Sequence, residues 1–464
     1  MSVSESDRQP LQYDSAAVER ALQATKDRGV EFIHLQFTDI PGAIKGLSVP
    51  AERLERCFGE GVWFDGSSVE GFARLAESDL YLRPDPTTFA VVPWERPTTA
   101  RLLCDLATPD GLPFVADPRY VLKRVLAEAA EQGYAYRANA EVEFYLFEER
   151  DGGTRQGGSA RSAAGQRPLV PSDSRSYFEL TDERAAGLCQ SVSTTMRSFG
   201  YDVAATHHEV SPGQHEIDLG EDDALRTADA IVTLKLAVRA LATRAGLLPT
   251  FMPKPLEKAS GSGIHVGQIL TDAATGQNAF FDPAGDHHLS AVGQSFVAGQ
   301  LTHARGMIAI IAPLVNSYKR LIGGAEAPAS VDWAGVNRSA LVRIPWATSS
   351  AACLIELRAP DPSCNPYLGL AVMLAAGLDG VRNRLPLNPP AESGGARSSS
   401  EAAAGDTLPS TLGEALEELQ WDMTIRGALG QPVFERFVAA KDQEWLDYRH
   451  HISTWELDAY LESA

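Results

Sequence analysis

The feature that most constrains the fold of this chain is a charged segment at residues 207–218, HHEVSPGQHEID. Its flanks, VAATHHEV and QHEIDL, have the apolar alternation of β-strands and enclose a Ser-Pro-Gly turn, which predicts an antiparallel hairpin. In such a hairpin Glu209 and Glu216 lie on neighbouring strands and face the same side. The fold therefore has to place ionisable groups on strands whose opposite face resembles core.

Three other segments show the same pattern. Side chains two residues apart share one face of a strand, so AEVEFYLFE sets Glu141 and Glu143 together, with apolar residues on the opposite face. CLIELRAP sets Glu356 beside Arg358, and GSGIHVGQIL carries His265 on an apolar strand. Five carboxylates and one imidazole thus lie on strands of this kind.

The ordinary explanation for one alternating strand is a solvated outer face. Solvated faces mix Lys, Arg, Ser and Thr with their acids, however, whereas the companions of these glutamates are aromatic, apolar or His. Carboxylates that share a low-dielectric site repel one another and lose hydration, which is tolerated when they are paired or bind cations. Ligands that are mainly oxygen with one nitrogen favour Mg²⁺ or Mn²⁺ over zinc, and this many carboxylates predict two or more ions.

Four arginines accompany the carboxylates in the C-terminal half of the chain: Arg320, Arg338, Arg343 and Arg358. A single arginine most often forms a surface ion pair of small energetic value, but four near a metal site are suited to binding phosphate and carboxylate oxygens. The segment LIGGAEAPAS, with two glycines before Glu326, has the composition of a hinged flap. The sequence contains no P-loop motif, and GSGIHVG is not a dinucleotide fingerprint.

Composition excludes several classes of protein. A net charge of −20 and the absence of a Lys/Arg cluster argue against a nucleic-acid surface. The five cysteines are scattered without CxxC spacing, so neither a disulfide framework nor a zinc knuckle is indicated. The polar first residues do not resemble a signal peptide and no apolar run is long enough to span a bilayer, so we expect a cytoplasmic protein.

The chain of 464 residues, of which 44% are hydrophobic, is long enough for two domains. We expect a small β-rich domain over residues 1–112 and an α+β domain over residues 113–464. Helices are predicted at 15–26, 119–132, 224–245 and 289–311. Gly/Ser-rich stretches near 150–168 and 388–406 predict surface loops.

Seven segments together resemble bacterial type I glutamine synthetases, in the order and with the spacing of that family. The segments are WFDGSS, EVEFYLF, HHEVSPGQHEID, FMPKPLEKASGSGIH, NSYKRLIGGAEAP, NRSALVRIP and IELRAPDPSCNPYL. The resemblance implies an N-terminal β-grasp-like domain and a catalytic domain with an antiparallel half-barrel sheet surrounded by helices. It also implies a homo-oligomer, a dodecamer of two stacked hexameric rings, joined through a C-terminal helix at STWELDAYLES.

The resemblance further implies a reaction and its residues. ATP would phosphorylate the γ-carboxylate of L-glutamate, and ammonia would displace the phosphate to give glutamine. The implied metal ligands are Glu143, Glu209 and Glu216 for a first Mg²⁺ or Mn²⁺ ion, and Glu141, His265 and Glu356 for a second. The implied glutamate-binding residues are Gly261, Arg320 and Arg358, and those for the nucleotide phosphates are Arg338 and Arg343, with Arg338 also catalytic. The implied ammonium pocket consists of Asp65 and Ser68 from a neighbouring subunit, Tyr177, Glu209 and the flap acid Glu326.

Some positions depart from the family pattern around glutamate and nucleotide: Ala204, Ser260, Gly267, Ile269, Ala351 and Leu354. They leave the metal and phosphate chemistry intact but leave open the affinities for glutamate and ATP. Three functions therefore remain. The first is a glutamate–ammonia ligase, the second a γ-glutamylamide synthetase that uses a larger amine, and the third a non-catalytic regulator. The complete sets of metal ligands and arginines argue against the third, and the complete ammonium pocket favours the first.

Overall fold

The structure is a computed structural model that describes residues 11–69, 79–148, 170–180, 183–322, 327–391 and 407–463. Several predicted features lie outside the described residues. They are the first Gly/Ser-rich loop at 150–168, residues 392–406 of the second loop, the side chain of Ser68, and Glu326 with its two preceding glycines.

The first part of the chain forms a mixed sheet with two helices. Its elements are α1 Ser15–Asp27, β1 Phe32–Thr38, β2 Ile44–Pro50, α2 Leu54–Glu60, β3 Val62–Asp65, β4 Asp79–Pro84, β5 Ala90–Val91 and β6 Thr99–Ala107. The strand order is β2-β1-β6-β4-β3, with β5 also on β6, and the central pair β1 and β6 is parallel. All nine residues of β6 are buried, so this strand forms the middle of the sheet. The β-grasp-like arrangement is as predicted.

The second part contains the larger sheet and most of the helices. Its elements are α3 Pro118–Glu131, β7 Tyr134–Glu148, α4 Glu183–Ser198, β8 Val203–His208, β9 Gln214–Asp223, α5 Ala224–Arg244, β10 Leu247–Thr250, β11 Ile264–Asp272, α6 Ala291–Thr302, α7 Ala304–Ile311, α8 Val315–Leu321, β12 Trp333–Ala334, β13 Val342–Arg343, β14 Ile355–Leu357, α9 Pro366–Asn383, α10 Leu412–Trp421, α11 Met423–Leu429, α12 Gln431–His450 and α13 Thr454–Tyr460. The strand order is β12-β13-β14-β11-β7-β9-β8, with β10 also on β7. Every pair in this sheet is antiparallel except β12 with β13. The predicted curled sheet surrounded by helices is confirmed.

Helix α9 is the centre of the helical layer. It is buried along almost its whole length and packs against α3, α5 and α6. Asn365 caps its first turn by accepting from the backbone N–H of Tyr367, and its side-chain amide also donates to the carbonyls of Asp39 and Ile40 in the first sheet. The helix therefore links the two parts of the chain as well as covering the larger sheet.

The prediction of one helix over 289–311 was wrong in detail, because the structure has two helices that meet at His303. The two ring nitrogens of His303 lie 2.8 Å from a carboxylate oxygen of Asp422 and 3.2 Å from one of Asp379. These contacts come from distant parts of the chain. Apolar periodicity continues across the break, so it could not reveal the change of direction.

A buried ionic cluster connects the first sheet to α3 and α5. The guanidinium of Arg119 lies 2.7 Å from Asp105, 2.8 Å from Asp85 and 3.0 Å from Asp229. Asp105 also accepts from Lys123 at 2.6 Å. Burial alone would raise the pKa of Asp105, but the charges of Arg119 and Lys123 hold it well below its usual range.

No helix in the described part of the chain combines the length and apolar character needed to cross a membrane. The C-terminal helix α13 has no buried residue, and it exposes Trp455, Leu457, Tyr460 and Leu461.

Candidate active site

The predicted metal ligands meet on one face of the larger sheet, and strand register explains why for those that lie in strands. On β7, Glu141 and Glu143 alternate with the buried Val142, as their spacing predicted. Pairing with β11 sets His265 directly opposite Glu141, and pairing with β9 sets Glu216 opposite Glu143. Cross-strand partners point to the same side of a sheet, so the four side chains share one surface.

His265 lies at the centre of the carboxylates. Its Nδ1 atom is 3.1 Å from a carboxylate oxygen of Glu141 and 3.9 Å from one of Glu356, and its Nε2 atom is 3.8 Å from Glu143. The other carboxylate oxygen of Glu143 accepts from the side-chain amide of Gln214 and from the backbone N–H of Gly263, each at 3.0 Å. Glu143 is therefore held in place by the protein itself.

A second group of donors lies beside the first. His207 is opposite Glu216 in the β8–β9 pairing, and its Nε2 atom is 3.2 Å from a carboxylate oxygen of Glu216. Its Nδ1 atom is 3.6 Å from Glu209, which lies just beyond the end of β8. One candidate metal-binding group is thus His207, Glu209 and Glu216, and another is Glu141, Glu216 and His265. Glu216 belongs to both, whereas the predicted division into two triads assigns it to one.

The electrostatics show that these carboxylates are crowded. Burial raises the pKa of Glu216 to about 12, and the nearby charges of Glu143 and Glu141 add to this effect. Burial and Glu143 also raise the pKa of Glu209. Burial opposes ionisation of Glu141, but its hydrogen bond to His265 lowers the pKa below the usual value. A protein-only environment thus does not satisfy the negative charge that these residues would carry.

The loop at 170–180 is fixed to the β8–β9 turn by Asp173. A carboxylate oxygen of Asp173 lies 2.9 Å from Nε2 of His208, and it accepts from the backbone N–H of Gly213 at 3.0 Å. The other ring nitrogen of His208 is 2.6 Å from the carbonyl oxygen of Glu209. This arrangement orients Glu209 and brings the predicted ammonium-pocket residue Tyr177 close to His207, with 5.8 Å between the ring centroids.

The four predicted arginines have different surroundings. Nη1 of Arg343 donates to Glu356 at 2.8 Å, and Nη1 of Arg358 donates to the other oxygen of the same carboxylate. Arg320 is buried and donates to the carbonyls of residues 358, 359 and 360. Arg338 is exposed, and its carbonyl accepts from Nε of Arg358. Two of the arginines therefore neutralise a predicted metal ligand directly.

Two glycines make room for Arg320. A Cβ atom at Gly261 or at Gly263 would overlap the Arg320 side chain, so this side chain can pack against the segment before β11 only because those positions lack side chains. Gly261 is a predicted glutamate-binding residue. Its location beside Arg320 brings two of the three predicted glutamate contacts together.

Asp65 belongs to the other sheet. It lies at the end of β3 and accepts hydrogen bonds from the backbone N–H and the hydroxyl of Ser67. These contacts orient the turn that the sequence predicts to enter the site of a neighbouring subunit. The contribution of Asp65 and Ser68 to that site stays a prediction.

The donor set fits divalent cations of the Mg²⁺ or Mn²⁺ kind. In the two groups that contain Glu216, the donors lie within 4.8 Å of one another and consist of two carboxylate oxygens and one histidine nitrogen. Cations at these positions would stabilise the ionised carboxylates whose pKa values burial raises. The cluster of arginines and carboxylates is thus suited to binding anionic substrates through metal ions.

Three residues of the site are not among those predicted from the sequence: His207, Asp173 and His208. His207 and His208 both belong to the charged segment at 207–218, and as neighbours on β8 they face opposite sides of the sheet. His207 faces Glu216 on the site side, and His208 faces the core, where it is almost completely buried. A strict two-residue reading of THHE would have given this assignment.

A β-grasp-like sheet followed by a curled antiparallel sheet lined with candidate metal-binding carboxylates is the arrangement of a ligase. Residues 29–109 match the family model for the glutamine synthetase β-grasp domain, and residues 115–460 match that for the glutamine synthetase catalytic domain. The chain belongs to the glutamine synthetase family, as the sequence predicted.

Individual relatives agree with this assignment. The chain is 43% identical to "Glutamine synthetase" of Halobacterium salinarum, with 96% of each chain covered. It is also 43% identical to "Glutamine synthetase" of Thermus thermophilus, with 95% of this chain and 98% of that protein covered. Among solved structures it is similar to "Apo GmaS without ligand", with 31% identity, a TM-score of 0.81 and coverage of 95% and 99%. A "GmaS/ADP complex-Conformation 1" gives 30% identity, a TM-score of 0.82 and the same coverage.

Proposed function

We propose that this enzyme ligates ammonia to the γ-carboxylate of L-glutamate at the expense of ATP, giving glutamine, ADP and phosphate. The observation that carries the proposal is the convergence of five glutamates, His265, Arg343 and Arg358 at one face of the larger sheet. The relatives named "Glutamine synthetase" support the same reaction. A structure of GmaS with ADP supports a nucleotide site in this fold.

The arginines bind and orient the anionic substrates. Divalent cations, when bound to the glutamates and His265, supply positive charge that offsets the charge on the phosphate oxygens. Arg358 and Arg320 bind glutamate, and Arg338 and Arg343 stabilise the transferring phosphoryl group. The γ-carboxylate oxygen attacks the terminal phosphorus of ATP, the bond from that phosphorus to the bridging oxygen breaks, and ADP leaves.

The second half-reaction needs a proton acceptor, because ammonium is not a nucleophile. Asp65 from a neighbouring subunit, Glu209 and Glu326 attract the cation and accept a proton, and Tyr177 borders the pocket. Ammonia then attacks the acyl carbon and phosphate leaves. Closure of the flap that carries Glu326 keeps water from the acyl phosphate.

The alternative acceptor is a larger amine, which would make the product a γ-glutamylamide. Its support is the similarity to the two GmaS structures at 30% and 31% identity. The 43% identity to curated glutamine synthetases and the complete set of ammonium-pocket residues favour ammonia.

The deciding experiment measures phosphate release from ATP and glutamate with ammonium, methylamine, ethylamine or ethanolamine, each at equal concentration of free base. We expect ammonium to give the highest kcat/KM. Product identification by mass spectrometry provides the control for uncoupled ATP hydrolysis. A larger amine with a higher kcat/KM than ammonium would overturn the proposal in favour of the γ-glutamylamide reaction.

The proposed assembly is a dodecamer of two stacked hexameric rings. Its support is the exposure of apolar side chains on α13 and directly after it, including Trp455 at 65% and Leu461 at 74%. Light scattering of the wild type and of Trp455→Asp tests this assembly. We expect the variant to form hexamers, and an unchanged mass would exclude this contact between rings.

A further inference from the structure

The floor of the site contains a polar side chain outside the predicted set of site residues. Asn139 precedes Glu141 by two residues on β7 and therefore shares its face. In the sheet, Asn139 is opposite Gly267 on β11, and Gly267 is opposite Glu356 on β14. A Cβ atom on Gly267 would overlap the amide oxygen of Asn139, so the asparagine side chain lies over this glycine.

The carboxamide of Asn139 has unused hydrogen-bonding capacity. It can donate two hydrogen bonds and accept two, yet it forms none with any residue that the structure describes. The residue is only half-buried, so a bound molecule can reach it. Solvent can hydrogen-bond to the carboxamide in the free protein, and a bound molecule can replace that solvent.

The backbone around Asn139 is also specialised. The register between β7 and β9 shifts between Ala138 and Ala140, so that Gly220 and Glu221 together oppose Asn139. Such bulges redirect side chains and are frequent beside active sites. The bulge therefore lies beside Asn139, two residues before the proposed metal ligand Glu141.

The order of the site residues along β7 indicates which substrate lies near Asn139. Beyond Glu143 lie Gly263 and the buried side chain of Arg320, and Arg320 is one of the proposed glutamate-binding residues. Beyond Glu141 in the opposite direction comes Asn139, about 7 Å away along the strand. After His265 the neighbouring strand β11 has only Gly267 and Ile269 on this face, with Glu356 of β14 on the far side of Gly267. On the β7 side of Gly267 the polar side chain is Asn139.

We propose that Asn139 binds the α-phosphate and ribose part of ATP and thereby contributes to nucleotide affinity. This inference rests on the proposed function, in which Glu141, His265 and Glu356 hold the metal that binds the outer phosphates. The rest of the nucleotide then extends over Gly267 towards the side chain of Asn139. The missing Cβ atom of Gly267 leaves room for that contact.

Calorimetric binding of Mg·ADP to the intact oligomer tests the inference without turnover. We expect Asn139→Ala to weaken Mg·ADP binding about tenfold, since it removes one or two hydrogen bonds to a charged ligand. The affinity for Mn²⁺ alone and the thermal stability should stay as in the wild type. Asn383→Ala, at an exposed asparagine on α9, is the matched control and should bind Mg·ADP normally.

A second variant tests the proposed geometry. Gly267→Ala introduces the atom that would overlap the amide of Asn139, so it should displace the amide and also weaken Mg·ADP binding. In the Asn139→Ala background the same change should have little further effect, because the displaced group is already absent. Additive effects would contradict this geometry.

Different results would overturn the role of Asn139 and the proposed function. Normal Mg·ADP binding by Asn139→Ala would overturn the role of Asn139 and leave the proposed function standing. No binding of Mg·ADP to the wild type, in the presence of excess Mg²⁺, would overturn the proposed function and this inference together.

Discussion

Replacement of Arg119 by methionine should destabilise the protein strongly, because Arg119 neutralises three carboxylates that are almost completely buried. Asp85, Asp105 and Asp229 surround its guanidinium at 2.7–3.0 Å, and Arg119 itself is 4% exposed. After the substitution Asp105 keeps Lys123, whereas Asp229 keeps only neutral donors such as the hydroxyl of Tyr367.

Loss of one partner from a buried ion pair costs about 3–5 kcal/mol, since the remaining charge is left without compensation. The lower end of this range applies to Arg119, because Lys123 compensates part of the charge on Asp105. A loss of about 3 kcal/mol corresponds to a fall in Tm of roughly 3 °C, because the entropy of unfolding of a chain of 464 residues is about 1 kcal/mol/K. Methionine has a volume similar to the arginine stem, so the added cost of a cavity is small.

Thermal unfolding of the assembled protein measures the effect, with Arg20→Met as the control. Arg20 forms an exposed ion pair with Asp14 at 3.7 Å and should contribute almost nothing. Acid adds a second test. The depressed pKa of Asp105 means that the ionic cluster stabilises the fold above pH about 4, and that this contribution is lost as the pH falls. Arg119→Met should therefore have a shallower loss of stability in acid. Equal Tm values for Arg119→Met and Arg20→Met would show that the buried ionic cluster around Arg119 does not stabilise the fold.

Three further predictions concern other parts of the molecule. Glu216→Gln should raise the Tm of the protein in EDTA, because it removes a crowded acid. It should also reduce the rise in Tm that Mn²⁺ produces, and a larger Mn²⁺ effect would contradict the role of Glu216 as a ligand. Asp65→Ala should raise the KM for ammonium far more than the KM for glutamate in steady-state assays, and equal increases would count against a place in the ammonium pocket. Burial lowers the pKa of Lys235 to about 8, so the folded state releases this proton at a lower pH than the unfolded state. The Tm of the wild type should therefore rise between pH 8 and 10, and Lys235→Met should remove this rise. An unchanged pH profile would exclude that effect.

The strands of the site could be predicted because each has a strict two-residue alternation. Glu141 and Glu143 share a face while Val142 is buried, and the turn after Glu209 returns the chain so that Glu216 lies nearby. These relations depend on local backbone geometry, which sequence spacing reports directly.

The contacts between strands could not be predicted from spacing. The placement of His265 opposite Glu141 depends on the register of two strands separated by more than a hundred residues. The pairing of Arg343 and Arg358 with Glu356 depends on the short strands β13 and β14, whose hydrogen bonds set both arginines beside one carboxylate. The break at His303 likewise depends on carboxylates from other helices.

The long strand β7 has a consequence for how this protein can vary. Asn139, Glu141 and Glu143 follow one another at alternate positions along it, with core residues between them. Deletion or insertion of a single residue ahead of Asn139 within the strand would turn all three polar side chains into the core and expose their apolar neighbours. A change of chain length in β7 is therefore compatible with the site only where a bulge such as the one beside Asn139 absorbs it.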